Sequence, residues 1–135
     1  MPIPNGAGGF QNGAGNRAET ILSYMAAPQT ATATATLTAA QVVNTMLVAN
    51  PSTSAATYTL PTATAIDTAV PNAIAGSTFD LTIVNLGTSS GTVTLALGTG
   101  ITDGGNALVA VGTTSSALFR FRKTADGAYT VYKIA

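Results

Sequence analysis

The amino-acid sequence predicts a mainly β protein: a single antiparallel β-sandwich or barrel-like domain with one or two short helices and an extended N-terminal arm. Two patterns lead to this prediction. After Gly76, apolar and polar residues alternate with a period of two in several short segments, and turn-forming residues separate these segments. The length of 135 residues suits one domain. We place the arm at residues 1–28 and the β-rich domain at residues 29–135.

The arm differs in composition from the rest of the chain. Gly, Pro and Asn-Gly pairs recur too often in residues 1–28 for a helix or a long strand. Apolar side chains are nevertheless scattered through it, whereas a purely solvated tail is expected to be poorer in them. We therefore expect the arm to lie extended on another surface, and a disordered terminus is the alternative. Five side chains are the candidate interface anchors: Phe10, Ile21, Leu22, Tyr24 and Met25.

The first half of the domain predicts strands and two capped helices. Residues 30–38 alternate between Thr and an apolar residue, which predicts a strand with Thr on one face, and low-complexity coil is the alternative. Thr38 then offers an N-cap to a short helix. Residues 56–60 predict another strand, and Thr62 offers a cap to a second short helix that ends before Pro71.

The second half of the domain predicts most of the strands. The predicted strands are residues 79–84, 93–97, 108–111, 118–122 and 129–134. Residues 87–91 are expected to reverse the chain between the first two strands, and Asp126-Gly127 is a favoured hairpin turn between the last two. We expect one face of each strand to form the core.

The strand at residues 118–122 predicts one buried face and one charged face. Phe119 and Phe121 alternate with Arg120 and Arg122, so the two arginines share the face opposite the phenylalanines. Together with Lys123 they form the main charge cluster of the sequence. Cations on a strand often serve only to keep it solvated and to discourage edge pairing. The functional alternative is an ionic contact of Arg120 and Arg122 with a partner subunit or an acidic surface.

The sequence offers little for catalysis or for ligand binding. It contains ten charged residues, no His and no Cys, whereas proton transfer near neutral pH usually uses His or a carboxylate tuned by a neighbouring charge. Residues 98–100 lack the third glycine and the context of a dinucleotide fingerprint. Residues 103–106 supply too few oxygen ligands for Ca²⁺. We expect turns at both segments, and we predict no enzyme activity, no cofactor and no metal site.

Composition instead favours association with other protein surfaces. Ala supplies much of the hydrophobic fraction of 46%, and aromatic residues make up 6%, so the core of a monomer would be thin. A charged fraction of 7% and a net charge of zero give little electrostatic protection against association. The sequence shows no broad basic face for nucleic acid, no apolar stretch of membrane-spanning length and no secretory signal. We expect no small-molecule substrate. We also expect the protein to be synthesised in the cytoplasm.

Several short motifs in the domain resemble those of a known family. The motifs are residues 37–41 (LTAAQ), 55–63 (AATYTLPTA), 70–72 (VPN), 76–79 (GSTF), 82–85 (TIVN), 119–122 (FRFR) and 128–132 (AYTVY). Through them, residues 36–135 resemble small proteins encoded by tailed bacteriophages, particularly marine phages. Members of this family look like head decoration, or cement, proteins, which bind the outside of the expanded capsid and reinforce it, commonly as trimers. The arm is not part of the resemblance.

The resemblance implies a structural role in the virion. The expected partners are the major capsid protein and further copies of this chain in a homotrimer, and the expected location is the outer capsid surface. The alternative function is a receptor-binding or structural module of a phage tail fibre or spike, which would also be β-rich, trimeric and poor in charge. An adhesin usually displays aromatic or polar ligand-binding residues at its loop tips, whereas the loops here are mostly Gly, Thr and Ser.

Overall fold

Short β-strands make up most of the regular structure. The structure is a computed structural model that describes residues 3–4, 10–11 and 22–135. Two short helices lie among the strands of these residues, which confirms the predicted mainly β class. In chain order the elements are β1 (Ile3–Pro4), β2 (Phe10–Gln11), β3 (Gln29–Ala31), β4 (Ala35–Thr36), α1 (Ala39–Val43), β5 (Met46–Ala49), β6 (Ala56–Thr59), α2 (Ala63–Ala69), β7 (Thr78–Asn85), β8 (Val93–Ala96), β9 (Ile101–Gly105), β10 (Ser115–Ala125) and β11 (Ala128–Lys133).

The domain is built from a larger and a smaller sheet. The larger sheet has six strands in the order β3-β5-β7-β10-β11-β9, and the smaller sheet has three in the order β4-β6-β8. Between β3 and β8 the chain alternates between these sheets, so each new strand is added beside the preceding strand of its own sheet. In the N-terminal region, β1 pairs with β2 in a separate antiparallel ribbon.

Strand direction departs from the predicted antiparallel arrangement. Among the strands of residues 22–135, the pairs β7–β10 and β10–β11 are antiparallel, and the other ladders are parallel. From β3 to β8, the chain passes through the other sheet between successive strands of one sheet and then returns. Such a crossover connection allows the two successive strands to lie side by side in the same direction. Side chains alternate in the same way in both kinds of ladder, so the period of two predicted the strands and not their direction.

The core lies between the facing sides of the two sheets. Ile83 and Phe119 from the larger sheet, Tyr58 from the smaller sheet and Ile66 from α2 are all fully buried in one hydrophobic cluster. Phe121 is buried with them, so the predicted core face of the strand at residues 118–122 is confirmed. The expectation that one face of each strand supplies the core holds for most strands of the two sheets, but not for β4, whose two residues are both exposed.

Both helices begin at the predicted N-caps. The Thr38 hydroxyl accepts a hydrogen bond from the backbone N–H of Gln41, whose side-chain oxygen accepts one from the N–H of Thr38. The Thr62 hydroxyl caps α2 by accepting from the N–H of Ala65. These bonds satisfy N–H groups that have no partner within a helix, which explains why such short helices form at these positions.

The alternating Thr/Ala segment forms two strands in different sheets, and not the single strand predicted for residues 30–38. Between β3 and β4, the carbonyl oxygen of Thr32 accepts a hydrogen bond from the Tyr58 hydroxyl at 3.0 Å. The Thr34 hydroxyl accepts one from the backbone N–H of Thr57, also at 3.0 Å. These bonds to β6 hold the chain where it crosses from one sheet to the other, and a period of two does not reveal such a crossing.

The strand predicted at residues 108–111 is also wrong. Val111 forms only an isolated bridge with Val93, and the strand β9 lies earlier, where the sequence favoured a turn. The Asp103 carboxylate accepts hydrogen bonds from the backbone N–H groups of Gly105 and Ala107, and the turn after β9 is closed by a hydrogen bond from the Val109 N–H to the Asn106 carbonyl. The side chain of Tyr132 occupies the space that a Cβ on Gly104 would need, which accounts for glycine within this strand.

Of the other three predicted turns, two are confirmed and one differs. A turn at residues 98–100 ends with Gly100 at φ +84°, and Gly127 at φ +70° completes the tight connection of β10 to β11. Residues 87–91 do not join paired strands, because β7 belongs to the larger sheet and β8 to the smaller.

Candidate functional site: an assembly surface

The face of the larger sheet opposite the core, here called the outer face, remains open to solvent. The register places Met46, Thr82 and Leu118 side by side across β5, β7 and β10. The next row toward the opposite end of the sheet brings Asp80 beside Arg120. The outer face therefore has an apolar half and a charged half, which is the division found between the centre and the rim of many protein interfaces.

The apolar half, here called the outer patch, combines residues from three strands with one residue that follows β7 and one that follows β11. It consists of Met46, Val48, Val84, Leu86, Leu118 and Ile134. Leu86 and Ile134 are about half exposed, and the other four side chains are partly buried. Nothing within residues 22–135 buries these six side chains fully. Contiguous exposed apolar areas are typical of surfaces that contact other molecules, so the outer patch is a candidate binding site.

The charged half contains the two arginines that the sequence singled out. Arg120 donates two hydrogen bonds to the Asp80 carboxylate, at 2.8 and 3.0 Å. This contact lowers the pKa of Asp80 and raises the pKa of Arg120. Arg122 is exposed on the same face and forms no salt bridge with another residue of the described chain. Asp80 thus offsets one cation, and Arg122 can meet an acidic group on a partner.

The described part of the arm does not pack on its own domain. Leu22 and Tyr24 are 85% and 94% exposed, and Met25 is exposed as well. The side-chain amide of Asn44 donates a hydrogen bond to the carbonyl of Ala27 at 2.9 Å, which holds the end of the arm beside β3. The anchoring of these residues on another surface stays a prediction. Of the other two predicted anchors, Phe10 belongs to β2, and Ile21 lies outside the described residues.

A cleft opens at one end of the outer patch. It has a volume of about 350 Å³ and is lined by Val84, Asn85, Leu86, Thr114, Ser115 and Ser116. Its walls combine apolar side chains with hydroxyl groups, a mixture that suits a side chain with an apolar body and a polar tip. The cleft is therefore a concave site bordered by two residues of the outer patch, Val84 and Leu86.

Asn85 fixes the two loops that border this cleft. The Asn85 side chain is buried, and its amide nitrogen lies 2.9 Å from the carbonyl oxygens of both Gly91 and Gly112. Its amide oxygen accepts a hydrogen bond from the backbone N–H of Gly87 at 2.8 Å. Because the asparagine joins residues from both loops, it keeps the rim of the cleft in one shape.

An ion cluster centred on the buried Lys123 lies on the other side of the larger sheet. Lys123 is 4% exposed, and its ammonium group contacts the carboxylates of Asp67 at 2.8 Å and Asp126 at 2.9 Å. Asp67 also accepts hydrogen bonds from the Gly127 N–H and the Tyr129 hydroxyl. The cluster joins α2 to the turn between β10 and β11, so its hydrogen bonds account for a structural role.

The pKa values in this cluster follow from the same contacts. The hydrogen bond from Lys123, with those from Gly127 and Tyr129, lowers the pKa of Asp67 from 3.8 to about 2. The carboxylates of Asp67 and Asp126 raise the pKa of Lys123. Burial, followed by the hydrogen bond to Asp67, raises the pKa of Tyr129 to about 12. The pKa values of Asp67, Lys123 and Tyr129 are thus all moved away from neutral pH, so each of these three groups stays in the protonation state that makes its contacts.

Sequence reasoning placed Lys123 in the wrong cluster. The prediction grouped it with Arg120 and Arg122, but its position has the same parity as Phe119 and Phe121, so it points inward. That parity is a signal that the sequence contained. The partner Asp67 is far away along the chain, and only the packing of α2 on the β10–β11 hairpin brings the two together.

Comparisons of the chain with protein-family models, with curated proteins and with solved structures gave no match. Within the described residues, no three His, Cys, Asp or Glu side chains come together in a group that could hold a metal ion. Neither of the two described helices has the length and apolar character of a membrane span.

Proposed function

We propose that this chain is a structural phage head decoration, or cement, protein that binds the outer capsid surface and stabilises the shell. The observation that carries the proposal is the pairing of an exposed apolar arm segment with the open apolar half of a sheet face in one small domain. Both surfaces leave apolar area exposed that a partner would cover. The resemblance of residues 36–135 to phage decoration proteins supplies the biological setting.

The proposed mechanism depends on binding energy alone. A packed genome presses on the shell from inside, and a protein that bridges neighbouring capsid subunits adds contacts that must break before the lattice opens. An arm joined to a folded domain adds a second contact whose effective concentration is set by the tether. A homotrimer multiplies these contacts and covers apolar area that one 135-residue chain leaves exposed. The major capsid protein is the proposed partner.

One structural feature favours the alternative function, a module of a tail fibre or spike. The turn after β9 exposes Leu108 and Val109, and apolar side chains at a loop tip suit the binding of a receptor. In the fibre interpretation this tip would contact the host, whereas in the decoration interpretation the outer patch and the arm would be covered by the capsid or by neighbouring copies of this chain.

The number of copies per particle separates these two functions. We expect quantitative mass spectrometry of purified virions, calibrated against the major capsid protein, to find hundreds of copies of this chain. Fibres occupy few positions on a particle, so a count of only a few tens would favour the fibre module. Absence from purified particles would contradict both functions.

A further inference from the structure

We propose that the cleft beside the outer patch binds residues 22–25 of a second copy of this chain. The biological setting of this inference rests on the proposed function, but the contact is one between copies in solution and can be tested without particles. In this proposal, the arm of a neighbouring protomer covers the open outer face of the larger sheet.

The arm segment exposes apolar side chains that its own domain does not cover. Residues 22–28 carry no charged side chain, and Leu22 and Tyr24 are almost entirely exposed. The hydrogen bond from Asn44 to Ala27 holds the segment where it joins β3, an edge strand of the larger sheet. The segment thus leaves the domain next to the outer face while its apolar side chains remain uncovered.

The cleft has the chemistry of a matching site. Val84 and Leu86 supply an apolar wall, while Thr114, Ser115 and Ser116 supply hydroxyl groups. Its volume of about 350 Å³ is sufficient for an aromatic ring. Tyr24 provides a ring with a polar tip, and an aromatic side chain in a preformed pocket is the usual anchor of a protein interface. We therefore assign the Tyr24 ring to the cleft, with Leu22 and Met25 on the adjoining outer patch.

The dimensions suit exchange between neighbouring copies. An extended segment of five residues spans about 17 Å. In a copy placed edge to edge with β3, the cleft between β7 and β10 is three to four strand positions from this β3, which is about 14–19 Å. An arm can therefore cover the outer face of a copy placed beside its own β3. Because Tyr24 remains exposed on its own domain, the contact belongs to a second copy, and repeating it around a closed ring satisfies every protomer.

Disulfide trapping tests this contact directly, because the chain has no native cysteine. A Tyr24→Cys protein is mixed with a Ser116→Cys protein that carries a larger tag, and the mixture is oxidised. We expect a mixed disulfide dimer on a non-reducing gel, confirmed by mass spectrometry. The matched control pairs Tyr24→Cys with Thr57→Cys, an exposed position on the smaller sheet, and should give several-fold less mixed dimer.

Equal yields from the two pairs would overturn the inference, because random collision would then explain the cross-link. A double variant with Tyr24→Cys and Ser116→Cys in one chain gives the second control. Rapid closure of its disulfide within one chain, at a dilution where no dimer forms, would assign the cleft to the chain's own arm and would also overturn the inference.

Self-association of the purified protein gives an independent readout. We expect sedimentation equilibrium to show an oligomer that Tyr24→Ser and Leu118→Asp each weaken at least tenfold, while Thr57→Asp leaves it unchanged. A wild-type protein that stays monomeric up to millimolar concentration would contradict the exchange of arms. Copy number on virions is measured separately, so failure of the inference is distinguishable from failure of the proposed function.

Discussion

Replacement of Phe121 by Ala tests the packing of the larger sheet. The Phe121 side chain is fully buried, and its ring stacks on that of Phe79 with centroids 4.9 Å apart and an interplanar angle of 3°. Truncation of a fully buried phenylalanine costs about 3–5 kcal/mol, while the whole domain is expected to be stable by only about 5–15 kcal/mol. Phe79 is only partly buried. We therefore expect Phe121→Ala to lower the free energy of unfolding more than Phe79→Ala does.

Urea unfolding followed by far-UV circular dichroism measures these costs, because the chain lacks Trp as a fluorescent probe. The stacked pair itself is measured by a double-mutant cycle of Phe79→Ala and Phe121→Ala, with an expected coupling of about 0.5–1.5 kcal/mol. Arg122→Ala on the exposed face of the same strand is the control, and it should change the free energy of unfolding by about 0.5 kcal/mol or less.

Two results would refute this account of the strand. The face assignment is wrong if Phe121→Ala unfolds within about 1 kcal/mol of the wild type, which is far below the cost of emptying a buried aromatic site. It is also wrong if Arg122→Ala is as damaging as Phe121→Ala. A change in the slope of the transition would show that the variant alters the unfolded state, and the comparison would then use midpoints of thermal unfolding instead.

Three further predictions concern the loops, the ion cluster and the arm. Asn85→Ala should cost about 3 kcal/mol or more in urea unfolding, because it leaves several buried backbone groups without partners, whereas exposed Asn72→Ala should be nearly neutral. The folded pKa of Asp67 lies below its usual 3.8, so its stabilising effect is complete above that value and is lost as the pH falls toward about 2. Asp67→Asn should therefore lower stability at neutral pH and flatten the loss in acid, and an unchanged acid limb would contradict this. Deletion of residues 1–26 should leave the melting temperature nearly unchanged and weaken attachment to particles tenfold or more, about 1.4 kcal/mol, in a co-sedimentation assay; a collapsed melting transition would show that the arm belongs to the fold.

The sequence predicted those parts of the fold that local chemistry determines. Thr38 and Thr62 cap helices because a threonine hydroxyl reaches the N–H groups of the first turn wherever the chain enters a helix. The alternation of Phe119 and Phe121 with arginine shows which side of one strand is buried, because consecutive side chains point to opposite faces. Gly127 marks a turn because it adopts a positive φ without strain.

The arrangement of the strands depends on long-range pairing and was predicted poorly. The Thr/Ala segment keeps its period of two across a change of sheet, so nothing local marks the crossing held by Thr32 and Thr34. Asp103 and Gly104 are typical turn residues, but both belong to β9, which pairs with β11. The pairing is possible because glycine at position 104 leaves space for the ring of Tyr132. In each case a tertiary contact prevails over the local preference.

The sequence predicted only one part of the candidate surface, the arm. The arm anchors stand out because apolar residues are unusual within a segment rich in Gly and Pro. The outer patch does not stand out, because Met46, Val84 and Leu118 come from three strands that are neighbours only after folding. Each of these residues alone suits an ordinary half-buried strand position, and only their register shows a continuous apolar area.

The most direct test of the decoration role is the temperature at which particles release their DNA. Virions that lack this chain are heated with a DNA-binding dye, before and after the purified protein is added back. If the protein reinforces the shell from outside, the particles lacking it release DNA at a lower temperature, and the added protein restores the wild-type value by binding to the intact shell. An unchanged release temperature after the protein has bound to saturation would contradict the proposed function.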